Sequence, residues 1–215
     1  MDTRIVAVGA KRLEGILRLP PSACGLVIFA HGAGSGRLSP RNNHVAERLG
    51  ERGIATLLFD LLTEEEAADR ANVFDIALLG GRVGEALRWA REAPEVAELP
   101  VGLFGASTGA AAALVAAAEA PGEVSAVVSR GGRPDLAGAA LGRVRAPTLL
   151  VVGGADHGVI GLNEQAAEVL ACEKRVAIVP GATHLFEEPG ALDQVVELAA
   201  DWFVARFRAA GAPGR

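Results

Sequence analysis

Cysteine is nearly absent. Cys24 and Cys172 are the only two in the 215-residue chain, and they form neither a Cys-x-x-Cys pair nor a dense framework. That excludes a disulfide scaffold and points to a reducing compartment. Cys24 enters an apolar strand and Cys172 ends a helical stretch, so both read as small buried hydrophobes. Basic charge is not in excess either: the formal net charge is −5, which gives no electrostatic reason to bind nucleic acid. Metal-ligand spacing is missing, with no His-Glu-x-x-His and no cluster of soft ligands, so neither metal nor cofactor is expected. Met1 to Gly15 lacks the basic segment and apolar core of a secretory signal, and a cytoplasmic location is the expectation. Linkers, low-complexity segments and internal repeats are also lacking. Residues 1–215 are therefore read as one domain, loose only in the tail after Ala209.

A long charge-free run is scarce as well. Val101 to Ala118 approaches membrane-spanning length, but its apolar content is mostly alanine, interrupted by Gly102, Gly105, Ser107, Thr108 and Gly109. It reads better as a buried strand, a tight turn and a small-residue helix, so no membrane partner is expected.

What is present is apolar material: half the residues are hydrophobic, enough for a sizeable core. Runs rich in Val, Ile and Leu predict eight strands, at Arg4–Val8, Ile16–Leu19, Leu26–Ala30, Ile54–Asp60, Val101–Phe104, Val124–Ser129, Thr148–Gly153 and Arg175–Pro180. Helical segments separate them from the third onward, which implies an α/β fold: a mostly parallel sheet covered by helices on both faces, with an antiparallel start. Ser39 before Pro40 reads as a helix cap, and Thr63 with Glu66 as a capping box, so the Glu64–Glu66 run is a helix start rather than a metal site. Leu192, Val195, Val196, Ala199, Trp202, Phe203 and Phe207 share one face of a last helix, which predicts its burial.

The chemistry lies in the loops. Gly105-Ala106-Ser107-Thr108-Gly109 fits Gly-x-Ser-x-Gly, the cramped strand-to-helix turn that lifts a serine above a sheet, and it stands between an apolar strand and a helical stretch. Acyl transfer from such a serine needs a base that accepts its proton, and His184 lies in the loop after the last predicted strand. An acid must orient that base. Asp156, after the apolar strand and Gly153-Gly154, is preferred over Asp135 in the preceding loop. The oxyanion needs two N–H donors, expected from Thr108, after the nucleophile, and from Ala33 in His31-Gly32-Ala33-Gly34, with Gly32 the alternative. His31 is expected to organise that loop, and His44 and His157 to face solvent or satisfy loop groups.

In this order, His31-Gly32-Ala33-Gly34, Gly105-Ala106-Ser107-Thr108-Gly109, Asp156 and His184 make the chain resemble the α/β-hydrolases, and within them the dienelactone-hydrolase-like group. The resemblance implies an α/β-hydrolase fold without a cap domain. It also implies a serine hydrolase acting on a small-molecule ester or lactone through an acyl-enzyme. Dienelactone hydrolases typically carry cysteine where this chain has Ser107, which favours a general esterase. Between Ser129 and Thr148 there is no room for a helical lid, so an open, shallow pocket and short acyl groups are expected. Arg130 and Arg133 lie just after a strand's carboxyl end and Arg37 follows the oxyanion loop, and a rim of guanidinium groups would favour a carboxylate-bearing substrate. Two other readings compete: a non-catalytic binding module on the same fold, and a dinucleotide-binding oxidoreductase suggested by Gly32, Gly34 and Gly36. The second fails on spacing, with one residue between the second and third glycines instead of two.

Overall fold

The computed structural model describes residues 1–210. Its strands are β1 (Asp2–Val8), β2 (Leu13–Leu19), β3 (Leu26–Ala30), β4 (Ala55–Phe59), β5 (Val101–Ala106), β6 (Val124–Arg130), β7 (Thr148–Gly153) and β8 (Lys174–Val179). They form one sheet in the order β1-β2-β4-β3-β5-β6-β7-β8, antiparallel from β1 through β2 to β4 and parallel from there on. The eight expected strands and the antiparallel start are therefore present. The tail expected to be loose lies, past residue 210, outside the described residues.

The central strands are buried on both faces, as parallel strands covered by helices must be. Seven helices do the covering: α1 (Pro40–Glu51), α2 (Glu64–Ala68), α3 (Arg70–Val73), α4 (Ile76–Glu92), α5 (Thr108–Glu119), α6 (His157–Val169) and α7 (Ala191–Ala210). Ser39 caps α1 with Pro40 behind it, and Thr63 with Glu66 forms both bonds of the capping box on α2. The predicted face of α7 packs with α1 on one side of the sheet, while α4 and α5 lie on the other. Among the described residues, no helix is long and apolar enough to cross a membrane.

Only a 3-10 segment, Pro134–Arg143, stands between β6 and β7, so no cap domain is inserted there. The sheet's polarity matters more. β4 lies to one side of β3 and β5 to the other, so the loops leaving the carboxyl ends of β3 and β5 diverge and open a crevice.

α5 can approach this crevice because its side chains are small: ten of its twelve residues are buried, most of them alanine. A Cβ at Gly109 would lie 2.1 Å from the Ala30 carbonyl oxygen, whereas one at Gly81 in α4 meets nothing within 4 Å. Gly109→Ala should therefore destabilise the protein by about 1–3 kcal/mol or more, while Gly81→Ala should stabilise it by up to about 1 kcal/mol. Urea unfolding of both variants checks this, and equal midpoints would contradict the close packing of α5 on β3.

Candidate active site

β5 ends at Ala106, and the chain turns into α5 through one residue. Ser107 has φ 51° and ψ −122°, a conformation that side-chain-bearing residues rarely adopt and that costs about 1–3 kcal/mol. The neighbouring glycines make the turn sterically feasible. A Cβ at Gly105 would lie 2.4 Å from the Ala110 Cα, and one at Gly32 only 3.1 Å from the Ser107 Cβ. The Ser107 N–H donates to the Arg130 carbonyl at 3.2 Å, and its own carbonyl accepts from Arg133 N–H at 3.0 Å, which ties the turn to the end of β6.

The loops after β7 and β8 are joined just as closely. Gly154 N–H donates to Val179 O at 2.8 Å and Ala155 N–H to Ala182 O at 2.9 Å. Asp156 occupies the N-cap of α6, but its side chain makes no capping bond. It accepts instead from His184 Nδ1–H, at 2.7 Å, and is the more enclosed of the pair. That bond puts the ring proton on Nδ1 and leaves Nε2 facing the Ser107 hydroxyl, which donates to it at 3.3 Å. The structure thus brings Ser107, His184 and Asp156 into one hydrogen-bonded chain. Asp135 stands outside it, held by Arg133 Nε–H and Nη2–H at 2.9 and 2.8 Å, and these bonds keep its carboxyl below the usual carboxylate range.

On the other side of the serine, the loop after β3 is organised by His31. Its Nε2 accepts from Leu61 N–H at 3.0 Å, so Nδ1 carries the proton and donates to Gly32 O at 3.0 Å. Burial holds this ring below the ordinary histidine range. The Ala33 N–H, one expected oxyanion donor, is directed onto Thr108 Oγ1 at 2.9 Å. Thr108 begins α5, so its own N–H has no acceptor within the helix and lies at the positive end of the helix dipole. His44 pairs with Asp193, and His157 is exposed at the start of α6.

The three arginines do not converge on a rim. Arg37 is committed to Asp60 and Glu14, and Arg133 to Asp135. Arg130 is buried and reaches toward α1, where its Nη2–H donates to Asn42 Oδ1 at 3.4 Å; burial pushes its guanidinium down to about 10. Carboxylates of the chain itself and burial thus remove the physical ground for expecting these groups to hold a substrate anion.

A cavity also lies beside the loop after β3, lined by neither Ser107 nor His184. It measures about 310 Å³ and adjoins the oxyanion loop at Gly32 and Ala33, with Leu62, Ala67, Val73 and Leu79 among its apolar walls and Asp60 and Glu64 among its polar ones. Its cover comes from α2 and α3, in the long connection between β4 and α4, rather than from the β6–β7 segment, which has no room for a helical lid. The legible signal was a capping box in a connection too long for a simple turn.

Comparison with known proteins bears on the family and the fold. The model of the dienelactone hydrolase family matches residues 13–207. A dienelactone hydrolase from Anabaena variabilis, known from its crystal structure, is 55% identical, with a TM-score of 0.91 over 95% of this chain and 97% of its own. Est1E from Butyrivibrio proteoclasticus shares the fold at 16% identity, with a TM-score of 0.80 over 97% of this chain and 100% of its own. A Mycobacterium tuberculosis protein named "Putative phosphoribosyl transferase" is 56% identical over 97% of this chain; the chain spans about half the length of this relative, 47% of it.

The His31 bonds carry a prediction about stability. A histidine whose folded pKa lies below its unfolded value of roughly 6.5 binds its proton more readily when unfolded. Its contribution is therefore complete above that pH and is lost as the pH falls through it toward the folded pKa. The unfolding free energy should drop between pH 7.5 and 5.5, and His31→Gln should flatten that drop while lowering stability at pH 7.5. A variant with the parent's pH slope would show that His31 does not set it.

Proposed function

The chain belongs to the dienelactone hydrolase family, and from that premise we propose that it hydrolyses small, uncharged esters or lactones through an acyl-enzyme on Ser107. The observation that carries this reading is the continuous chain from Asp156 through His184 to Ser107, at 2.7 and 3.3 Å, ending on a serine in a strained turn. Ser107 Oγ attacks the carbonyl carbon while its proton passes to His184 Nε2, and Asp156 stabilises the resulting imidazolium. The negative charge on the former carbonyl oxygen develops at the N-terminus of α5, beside Thr108 and Ala33. His184 returns the proton to the departing alkoxide, which leaves with an ester or stays tethered with a lactone. A water molecule, deprotonated by His184, then attacks the acyl carbon and restores the serine.

The cavity supports the substrate class. At about 310 Å³ it lies at the small end of ligand pockets, and its Leu62, Val73 and Leu79 walls suit an apolar group on the reacting carbonyl. Asp60 is already met by Arg37, and Glu64 adds negative charge, so a carboxylate there would be disfavoured.

The transferase name borne by the mycobacterial relative belongs to a chain about twice as long, and we assign that activity to the half this chain does not match. Incubation with phosphoribosyl pyrophosphate, magnesium and nucleobases should release no pyrophosphate; release would move the transferase reading onto this chain.

Ser107→Ala should abolish hydrolysis of p-nitrophenyl esters and labelling by a fluorophosphonate. Asp156→Asn should lower kcat by about 10⁴-fold with the fold intact, whereas Asp135→Asn should change it less than about threefold. Reversal of these two effects would move the acid to the earlier loop, and label on another serine would remove the nucleophile assignment. Among substrates, a neutral acyl group should exceed its carboxylate-bearing isostere in kcat/KM. Ala67→Trp, which narrows the cavity, should penalise butyryl more than acetyl esters; equal losses would place the acyl group elsewhere.

A further inference from the structure

Thr108 differs from the other groups around the serine in leaving its one side-chain donor without an acceptor among the described residues. Its Oγ1 accepts the Ala33 N–H at 2.9 Å, and the unmatched donor is its own hydroxyl proton. A threonine within a helix would direct that proton to the carbonyl four residues back. Thr108 is the first residue of α5, and four residues before it the chain is still strand β5, so that outlet is missing. The side chain is 6% exposed, so bulk water is a poor alternative acceptor. Meanwhile the Ala33 amide, the backbone donor expected on this side, is aimed at Oγ1 rather than into the crevice.

We propose that the Thr108 hydroxyl is the second donor to the oxyanion, with the Ala33 N–H behind it, so that Ala33 acts through Thr108 rather than directly. The oxyanion would then receive two bonds from one residue, from the Thr108 N–H and the Thr108 Oγ–H, at the first turn of α5. The Ala33 N–H fixes the rotamer of the hydroxyl and polarises it, since a hydroxyl that accepts a hydrogen bond becomes a stronger donor. It also links the loop after β3 to the catalytic turn by a bond that exists before substrate arrives, which is the preorganisation an oxyanion hole requires. No proton is transferred at Thr108. The only proton that moves is that of Ser107, to His184. This proposal rests on Ser107 being the nucleophile, and its test is chosen to separate the two.

A fluorophosphonate serves as the probe because its phosphoryl oxygen occupies the place of the oxyanion. Ser107 Oγ bonds to phosphorus, the P–F bond breaks, fluoride leaves, and the serine proton passes to His184. Labelling rates, read by intact mass and peptide mapping, should fall about a hundredfold in Thr108→Val, which keeps the shape and removes the hydroxyl. Thr108→Ser, which keeps the hydroxyl, should recover most of the rate. The matching fluorophosphonothioate, with P=S in place of P=O, distinguishes contact from support. Sulfur accepts hydrogen bonds poorly, so the ratio of P=O to P=S rates should shrink in Thr108→Val if the hydroxyl touches that atom. A hydroxyl that only orders the loop would slow both probes alike and leave the ratio unchanged, which would overturn the proposal. A Thr108→Val rate equal to or above the parent's would overturn it too, because an Ala33 N–H released from Oγ1 would then be the direct donor. In either case a parent labelled at Ser107 leaves the hydrolase reading standing, whereas a parent not labelled there removes both. Thr108→Ala repeats the test should valine prevent folding, which circular dichroism would report.

Discussion

Everything at this site depends on one residue being held where a side chain ordinarily does not go. Ser107 at φ 51° is an unfavourable conformation, and it persists because the surroundings over-determine it. Its N–H is fixed by β6, and α5 is pressed onto β3 so closely that Gly109 has no room for a methyl group. The alanine-rich helix is the other half of the device. Large side chains on α5 would hold it away from the sheet and relax the turn, so its near-complete burial and its small residues follow from the position of the serine.

The same logic governs how the helix caps are used. Ser39, Thr63, Asp69 and Asp75 stand before α1 to α4, and each side chain accepts a backbone N–H of its own helix. Ser107 and Asp156 stand at the equivalent positions before α5 and α6, and neither does so. Each gives up a bond worth about 1 kcal/mol to its helix. Asp156 makes its bond to His184 instead, and Ser107 directs its hydroxyl to the same ring. Good capping residues whose side chains are turned away from their helices thus mark the proposed triad in purely local terms.

Much of this was legible in the sequence because it is local. Strand runs, the capping box on α2 and the glycine pair around Ser107 are patterns within a few residues of one another, and the chain order of serine, acid and histidine joins three such patterns. What was not legible depends on which partner folding brings to a side chain. Arg37 reads as a free cation until Asp60 and Glu14 are brought to it, and Arg133 until Asp135, two residues away, folds back onto it. Asp156 was already preferred over Asp135 on its place in the chain, and the structure adds a reason, since an aspartate satisfied by arginine has no vacancy for imidazole. The cavity was hidden for another reason. Its cover comprises two helices of five and four residues with no buried side chain, too short to leave a periodic apolar signal.

The crevice at the carboxyl ends of β3 and β5 therefore receives two kinds of structure. On one side are elements that cannot move without breaking the turn: α5, the end of β6 and the stitched loops of β7 and β8. On the other is the connection after β4, whose short helices bury no side chain and which is tied to its neighbours by Leu61 N–H on His31, Arg37 on Asp60 and Arg82 on Glu66. In the proposed reaction, chemistry that needs geometry fixed to fractions of an ångström would belong to the first side, and substrate choice, which tolerates change in cavity shape, to the second. A histidine with its proton on Nδ1 is the joint between them: it holds the oxyanion loop through Gly32 and the cavity wall through Leu61. Its neutrality follows from that task, because Nε2 can accept the Leu61 amide only while it carries no proton.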